Sequence, residues 1–174
     1  MNEKPIEIPL RKRPNYAHGM VLGVEDFQQE FSYFMDRLRF HNRELHGYGT
    51  VSGLEVSMPE EETESITVNA GVAIDRLGNE IFLPAVVRCP FPDKGDIVYL
   101  VLSWAERDTD FVPVKGSETE GDQMVPSRVE EYAVLNYDLE QDNPNSSGVV
   151  LAHLKKVRGQ WKIDKKFPVR RASS

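Results

Sequence analysis

Histidine is the residue type in this chain best suited to binding a metal ion, and the chain has four histidines. His41 and His46 form the closest pair, five residues apart. Metal-binding pairs on a helix are normally four residues apart, because that spacing places both rings on one face, whereas five residues put them roughly 140° apart. The sequence has no HExxH and no CxxC motif. We therefore predict no metal, although a site with His18 or His153 as a distant third ligand stays an alternative.

The carboxylates show no catalytic arrangement. Asp75, Asn79 and Glu80 surround a predicted hairpin turn, where Asp and Asn are common for backbone reasons alone. The acidic residues at 59–64 and 118–122 lack the spaced ligands and backbone-carbonyl position of a calcium loop. They are better explained as solvated loop residues.

Nucleophiles and phosphate-binding loops are also missing from the pattern. Ser52 and Ser103 have no base partner that the sequence reveals, and there is no GxSxG motif. The stretch GYGTVSG opens a strand rather than a helix, so it is not a dinucleotide fingerprint. We predict no catalytic residue, no cofactor and no enzymatic activity.

Composition limits the partners and the compartment. A net charge of −7 and a pI near 5.2 argue against nucleic-acid binding, which needs a basic stripe. The single cysteine, Cys89, cannot form an internal disulfide, and the start MNEKPIEIPLRKRP has no apolar signal region. No apolar run reaches the roughly 18 residues of a membrane span. We expect synthesis in the cytosol, no direct membrane insertion and one domain by length.

The longest regular pattern is a helix of about 22 residues over Val24–His46. Its apolar residues alternate in steps of four and three, which predicts one buried stripe that packs on the β-structure following it. We call these residues the helix stripe: Phe27, Phe31, Phe34, Leu38, His41 and Leu45. Gly23 is the expected N-cap and Gly47 the expected stop. Within the helix, His41 is expected to be a core histidine with a hydrogen-bonded ring, and His46 a cation at the helix end.

A second aromatic face lies elsewhere on the same helix. Tyr33 lies about 100° from Phe34 and 160° from Phe31, and Phe40 lies on the same side as Tyr33. Such a face needs its own cover, which is either another part of the same chain or a neighbouring subunit. Both alternatives stay open at this stage.

The first fifteen residues form an arm in which three prolines favour extended backbone. Its basic patch, Arg11 to Arg13, is either a solvated tail or meets an acidic partner, since the chain as a whole is acidic. Together with the second helix face, the arm predicts a protein–protein interface made of Arg11, Arg13, Tyr16, Met20, Tyr33 and Phe40.

In the rest of the chain, apolar and polar residues alternate as they do in β-strands. They are predicted at 50–58, 65–75, 80–88, 97–104 and 128–139, with a closing hairpin of VVLAHLKKV and QWKID across Arg158 and Gly159. Loops are predicted at 59–64, 105–127 and 142–148, the second being long enough to be functional or disordered. The predicted fold is α+β and mainly β: one long N-terminal helix followed by a β-sandwich or partly closed barrel of about seven strands. The predicted boundaries are an arm at 1–15, a single domain at 16–168 and a polar tail at 169–174.

Two stretches, AHGMVLGVEDFQQE and HGYGTVSGLEV, resemble a known family. The pattern is similar to the N-terminal shell domain of the trimeric baseplate subunit of type VI secretion, which in turn resembles the shoulder domain of siphophage receptor-binding proteins. Small proteins with a nearly identical helix and a GYGxVSGLxV motif accompany phage-tail-like contractile injection systems. The resemblance covers roughly residues 16–84, including AGVAIDRLGNEIFLP, and is carried by Gly19, Met20, Leu22, Phe27, Gln28, Gln29, Tyr33, Gly47, Tyr48, Gly49, Val51 and Leu54.

This resemblance implies a helix followed by a β-sandwich, assembled as a trimer and used as an attachment point in a tail-like machine. Two departures limit what it implies. Asp26 stands where the secretion-system members usually have histidine. The chain has no counterpart of their helical middle domain or C-terminal membrane-complex-binding domain, so we do not expect it to dock on a membrane complex.

Three functions are compatible with these patterns. The first is a non-enzymatic structural or adaptor protein of a contractile tail-like particle or phage baseplate, which self-assembles and holds other baseplate, tail or fibre proteins. The second is a glycan- or receptor-binding module in which Trp104, Trp161 and Tyr137 supply stacking faces. The third is a metal-dependent hydrolase. The helix pattern and the resemblance favour the first, with final incorporation into a virion or injection particle.

Overall fold

The computed structural model describes residues 8–58, 65–115, 123–141, 143 and 145–173. Helix α1 spans Val24–His41 and continues into a π-helical turn at Asn42–His46. The Asp26 carboxylate accepts a hydrogen bond from the Gly23 amide (2.9 Å), and Gly47 ends the helix at a φ of 70°. The predicted extent of the helix and both of its end residues are therefore confirmed. None of the helices in the described ranges is long and apolar enough to cross a membrane.

Ten strands follow in the described residues: β1 Gly49–Gly53, β2 Val56–Ser57, β3 Ser65–Val68, β4 Gly71–Ile74, β5 Glu80–Leu83, β6 Val87–Pro90, β7 Ile97–Val114, β8 Gln123–Asp138, β9 Val149–Val157 and β10 Gln160–Ile163. They form three antiparallel sheets, in the orders β1-β4-β5, β2-β3-β6 and β10-β9-β7-β8. The predicted α+β, mainly β class is confirmed. The predicted count of about seven strands is wrong, and the described strands form no closed barrel.

The larger count arises because each of three predicted strands is broken and contributes to two sheets. The first break lies at Gly53 and Leu54, where φ reaches 61° and 64°. Gly53 pairs with Gly71, and a Cβ on either glycine would overlap the backbone of the other strand. The second and third breaks separate β3 from β4 and β5 from β6. All three breaks occur at the same level, so the two three-stranded sheets are halves of one bent meander.

The four-stranded sheet corrects the prediction of a loop at 105–127. β7 runs through to Val114 and β8 begins at Gln123, and the two strands stay paired as a ribbon beyond the body of the domain. The ribbon packs on no core, so its residues show no alternation between apolar and polar types. Charge pairs lie across it instead, with Arg107 Nη2 at 2.6 Å from Glu130 Oε2. Residues 116–122 of the predicted loop, and the predicted loop at 59–64, lie outside the described residues.

The core lies between the four-stranded sheet and the two three-stranded sheets. The two smaller sheets contribute Ile66, Val68, Ile81 and Leu83, while the larger one contributes residues that include Leu100, Leu102, Leu151 and Leu154. Cys89 is buried in the same cluster, and this burial raises the pKa of its thiol. The predicted hairpin of β9 and β10 across Arg158 and Gly159 is confirmed.

The last residues lie along β1. The Thr50 amide donates to the carbonyl of Arg170 (2.9 Å), and the Ala172 amide donates to the carbonyl of Thr50 (3.0 Å). Arg171 forms a parallel bridge with Thr50, and the Ser173 amide donates to the carbonyl of His46 (2.7 Å). The segment predicted as a polar tail therefore adds an extended strand-like edge to the first sheet.

The turn between β4 and β5 is built around a fully buried carboxylate. Asp75 is 0% exposed and accepts hydrogen bonds from the amides of Leu77 (2.9 Å) and Asn79 (2.8 Å) and from the Asn79 side chain (2.8 Å). These three donors satisfy the buried group, which would otherwise destabilise the fold. They also fix the position of the Asn79 amide and the Gly78 carbonyl.

Helix α1 joins the strands through this turn. Arg39 Nε donates to Asn79 Oδ1 (2.6 Å), and Asn42 Nδ2 donates to the Gly78 carbonyl (3.0 Å) and to Glu80 Oε1 (3.2 Å). Gly78 has a φ of 90°, and a Cβ there would overlap the carbonyl of Arg39. We call these contacts the helix junction. Asn42 is buried, whereas α1 itself contains no buried residue.

The expected packing of the helix stripe on the chain's own strands does not occur in the single chain. All six residues of the stripe are exposed, including His41, which is not the core histidine that we expected. The physical reason is that only the C-terminal end of the helix touches the strands. It does so with the face of Arg39 and Asn42, which lies roughly 100° around the helix from the stripe.

We expect substitution Asp75→Ala to lower the free energy of unfolding by about 2–4 kcal/mol, because three donors, two of them in buried hydrogen bonds, lose their acceptor. Asp108→Ala is the matched control, since Asp108 is exposed on the ribbon, and its effect should stay within about 0.5 kcal/mol. Chemical denaturation followed by circular dichroism measures both. Equal effects of the two substitutions would contradict a structural role for Asp75.

Candidate functional site

The most unusual surface of the chain is the exposed helix stripe. Phe31 is 66% exposed, and the other large members are exposed to a similar degree: Phe27, Phe34, Leu38 and Leu45. Soluble chains seldom leave a continuous row of large apolar side chains in water, because each loses about 1.5–3 kcal/mol of burial energy. Exposed apolar rows of this kind are typical of interaction surfaces.

The N-terminal arm lies along a different face of the same helix. The Arg11 guanidinium is 5.3 Å from the centre of the Phe40 ring, and the Tyr16 hydroxyl donates to Glu30 (2.8 Å). Five extended residues cover roughly 16 Å, and the ten helical residues from Glu30 to Phe40 cover roughly 15 Å. The matching lengths show that the arm runs antiparallel to α1.

The predicted interface residues separate into two groups. The structure brings Arg11, Tyr16, Tyr33 and Phe40 together, since the first two lie on the face that carries the last two. Arg13 and Met20 are exposed and do not join this group. The arm thus covers part of the second aromatic face within one chain, while Phe40 keeps half of its surface exposed. Contact of these six residues with another polypeptide stays a prediction.

His41 and His46 lie closer together than their spacing suggested. Their ring centroids are 5.2 Å apart, whereas an α-helix would place them on different faces. The reason is the π-helical turn between them, in which each backbone hydrogen bond spans five residues instead of four. The described ranges contain no group of three or more His, Cys, Asp or Glu side chains arranged to hold a metal.

The remaining candidate residues lie apart from the helix. His153 Nδ1 is 3.3 Å from Asp164 Oδ2, and its ring stacks on Tyr99 at 4.9 Å. The pKa of Asp164 is lowered, first by the hydrogen bond that it accepts from the Lys166 amide and then by its contacts with Lys155 and His153. This cluster holds the segment after β10 against β9.

The aromatic residues considered for glycan stacking all pack against other side chains. Trp161 is buried and stacks on Phe91 at 6.0 Å, and Tyr137 packs against the core. The pKa of Tyr137 is raised, chiefly by burial. Trp104 lies beneath the Arg39 guanidinium at 5.4 Å. Packing within the chain therefore accounts for the positions of these three aromatic side chains.

Comparison with solved structures identifies proteins of similar fold. The fold is similar to that of TssK. One match is a chain in the type VI secretion TssK–TssF–TssG baseplate subcomplex, with a TM-score of 0.56 and 17% identity. The aligned region covers 92% of this chain and 62% of the matched chain. A second match is a chain of a type VI secretion baseplate complex, with a TM-score of 0.57 and 15% identity. The aligned region covers 92% of this chain and 60% of the matched chain.

A crystal structure of TssK gives the same result, with a TM-score of 0.55, 16% identity and coverage of 88% of this chain. The chain spans between 40% and 62% of the length of these TssK-type chains. No protein-family model matches the sequence, and no curated protein matches it. At these identities the likeness to TssK establishes the fold alone.

The contact between the arm and α1 can be tested through the ionisation of Tyr16. The pKa of its phenol is raised, first by the hydrogen bond to Glu30 and further by desolvation and the charges of Glu30 and Asp26. Substitution Glu30→Gln should therefore lower the pKa of Tyr16 towards its ordinary value, whereas Glu25→Gln should change it less. NMR titration with ring-labelled tyrosine measures the shift. The hydrogen bond stabilises the arm below the ordinary tyrosine pKa, and this stabilisation is lost as pH rises through the raised pKa.

Proposed function

We propose that this protein is a non-enzymatic structural subunit of a contractile injection particle or phage baseplate, which self-assembles as a homotrimer and attaches another particle component. The exposed helix stripe is the observation that carries the proposal. The fold, which is similar to that of TssK in type VI secretion baseplates, supports the setting. The partners are other copies of the chain and other baseplate, tail or fibre proteins.

The spacing of the stripe supports helix-to-helix packing rather than packing on a sheet. Steps of four and three residues from Phe27 to Leu45 are those of the a and d positions of a heptad repeat. A stripe restricted to these positions is narrow and suits the seam of a coiled coil, whereas a helix that packs on a sheet usually carries a broader apolar face. Three copies of α1, one from each subunit, can bury their stripes against each other around a common axis.

The ribbon of β7 and β8 supports the second part of the proposal, attachment of another component. Its outer part carries exposed apolar side chains on both strands, including Phe111 and Met124. Pro113 pairs with Met124, and Pro126 pairs with Phe111, so each strand carries one residue without an amide hydrogen. Proline on an exposed strand opposes further strand pairing. We infer that a partner contacts the side chains of the ribbon rather than extending the sheet.

Self-assembly is tested by light scattering of the purified protein. The single chain has a mass of 19.8 kDa, so we expect about three times that mass at micromolar concentration. Phe31→Glu or Phe34→Glu places a charge in the helix seam and should shift the mass towards one chain. Gln29→Glu is the control, because it adds the same charge on a face roughly 160° from the stripe.

Two experimental outcomes would contradict self-assembly through the helix stripe. A wild-type protein that stays a single chain at these concentrations would overturn self-assembly. An equal loss of assembly in the Gln29→Glu variant would show that charge on α1, rather than the stripe, controls the association.

A further inference from the structure

A long apolar groove separates the bent meander from the four-stranded sheet on one side of the domain. It consists of two adjoining cavities of about 440 and 530 Å³, which share Leu83 and Ala133 in their walls. One end is lined by Trp104 and the other by Tyr137. From Glu131 to Tyr137 along β8 the groove is roughly 20 Å long. We call it the β8 groove.

Strand edges flank the β8 groove on both sides. β5 and β6 are edge strands of the two small sheets, and β8 is an edge strand of the large sheet. Among the described residues, no strand pairs with these outer edges. Edge strands present N–H and C=O groups that can pair with an additional extended segment.

The opposite side of the same domain shows how such an edge is closed. There the segment around Arg171 lies parallel to β1 and exchanges hydrogen bonds with Thr50. Arg171 lines a cavity together with Leu151 and Ile163. An extended segment therefore covers the outer edge of β1, whereas no segment of the described residues pairs with the strand edges of the β8 groove.

Charges at the Trp104 end of the groove specify the occupant further. Glu106 and Glu131 are direct cross-strand partners on β7 and β8, and Glu80 lines the same end of the groove. Like charges directly opposite each other destabilise a sheet. Arg39, which lies over Trp104 and donates to Asn79, brings one positive charge near these three carboxylates. An occupant with several positive charges would stabilise this end.

The N-terminal arm has the chemistry that the groove requires. Apolar side chains alternate at Ile6, Ile8 and Leu10, and the basic residues Arg11, Lys12 and Arg13 follow directly. Ile8 is 76% exposed and Leu10 is 90% exposed, so neither is buried by its own chain. In an extended strand the amides of residues 8 and 10 point to one side and residue 9 to the other, so Pro9 leaves one edge free to pair.

We propose that the segment Ile6–Leu10 of a second copy of this chain adds as a strand in the β8 groove. Its apolar side chains face the groove, and Arg11–Arg13 lie at the end formed by Glu80, Glu106 and Glu131. In this arrangement Arg11 leaves the Phe40 ring that it contacts in the single chain. The segment spans roughly 13 Å, which fits within the roughly 20 Å of the groove. This inference rests on the proposed self-assembly, because it requires a neighbouring copy.

Site-directed crosslinking tests the arrangement. In a Cys89→Ala background, one chain carries Leu10→Cys and a differently tagged chain carries Ala133→Cys in the groove. The two are co-assembled and treated with a short bismaleimide. We expect crosslinks between the two tags. Asn136→Cys is the control position, because Asn136 is exposed on the opposite face of the same strand, and it should react with Leu10→Cys far less.

A charge reversal tests the glutamate end. Arg13→Glu should lower the crosslink yield about fivefold, as expected for loss of one favourable pair at a partly exposed site. Glu131→Arg in the partner chain should restore most of that yield. A lower yield that the second substitution does not restore would contradict the proposed charge contact.

The outcomes separate this inference from the proposed function. Assembled protein without crosslinks between tags, or with equal reaction at Asn136→Cys, overturns the arm placement and leaves self-assembly intact. Crosslinks found only within one chain, when both cysteines are on that chain, overturn the second copy as the source of the strand. A single-chain mass by light scattering overturns both proposals.

Discussion

The buried Asp75 carboxylate is the interaction on which the rest of the arrangement depends. It fixes the turn between β4 and β5, and that turn supplies the acceptors and the close approach that hold the end of α1. Because these contacts are polar and confined to Arg39 and Asn42, the helix is attached at one end only. A helix held in this way extends beyond the strands and leaves its apolar stripe in water.

This geometry leaves several surfaces of the chain available for contact. A row of exposed apolar side chains lies along α1, the longest of the described strands extend as a ribbon beyond the core, and the strand edges at the β8 groove are unpaired among the described residues. Each of these features is suited to contact with another polypeptide. The fold that this chain shares with TssK is compatible with that use, and the proposed trimer would cover the seam.

Local sequence signals were reliable wherever neighbouring residues alone determine structure. The ends of the helix follow from Gly23, Gly47 and the acidic first turn, and the β9–β10 hairpin follows from Arg158 and Gly159. The same signals failed where distant segments decide the outcome. The break at Leu54 depends on contact with Ala70 and Gly71 of another strand, and the ribbon forms because β7 and β8 pair with each other outside the core.

The sequence by itself determined the class of the fold, the extent of the helix, the periodic stripe and the acidic balance of the chain, because all of these are properties of residue order and composition. Only the tertiary structure decided which helix face meets the strands, since periodicity shows that a stripe is apolar but not what covers it. It also brought His41 and His46 together through a π-helical turn and formed the β8 groove between the sheets. These features depend on contacts between residues far apart in the chain, which no local pattern records.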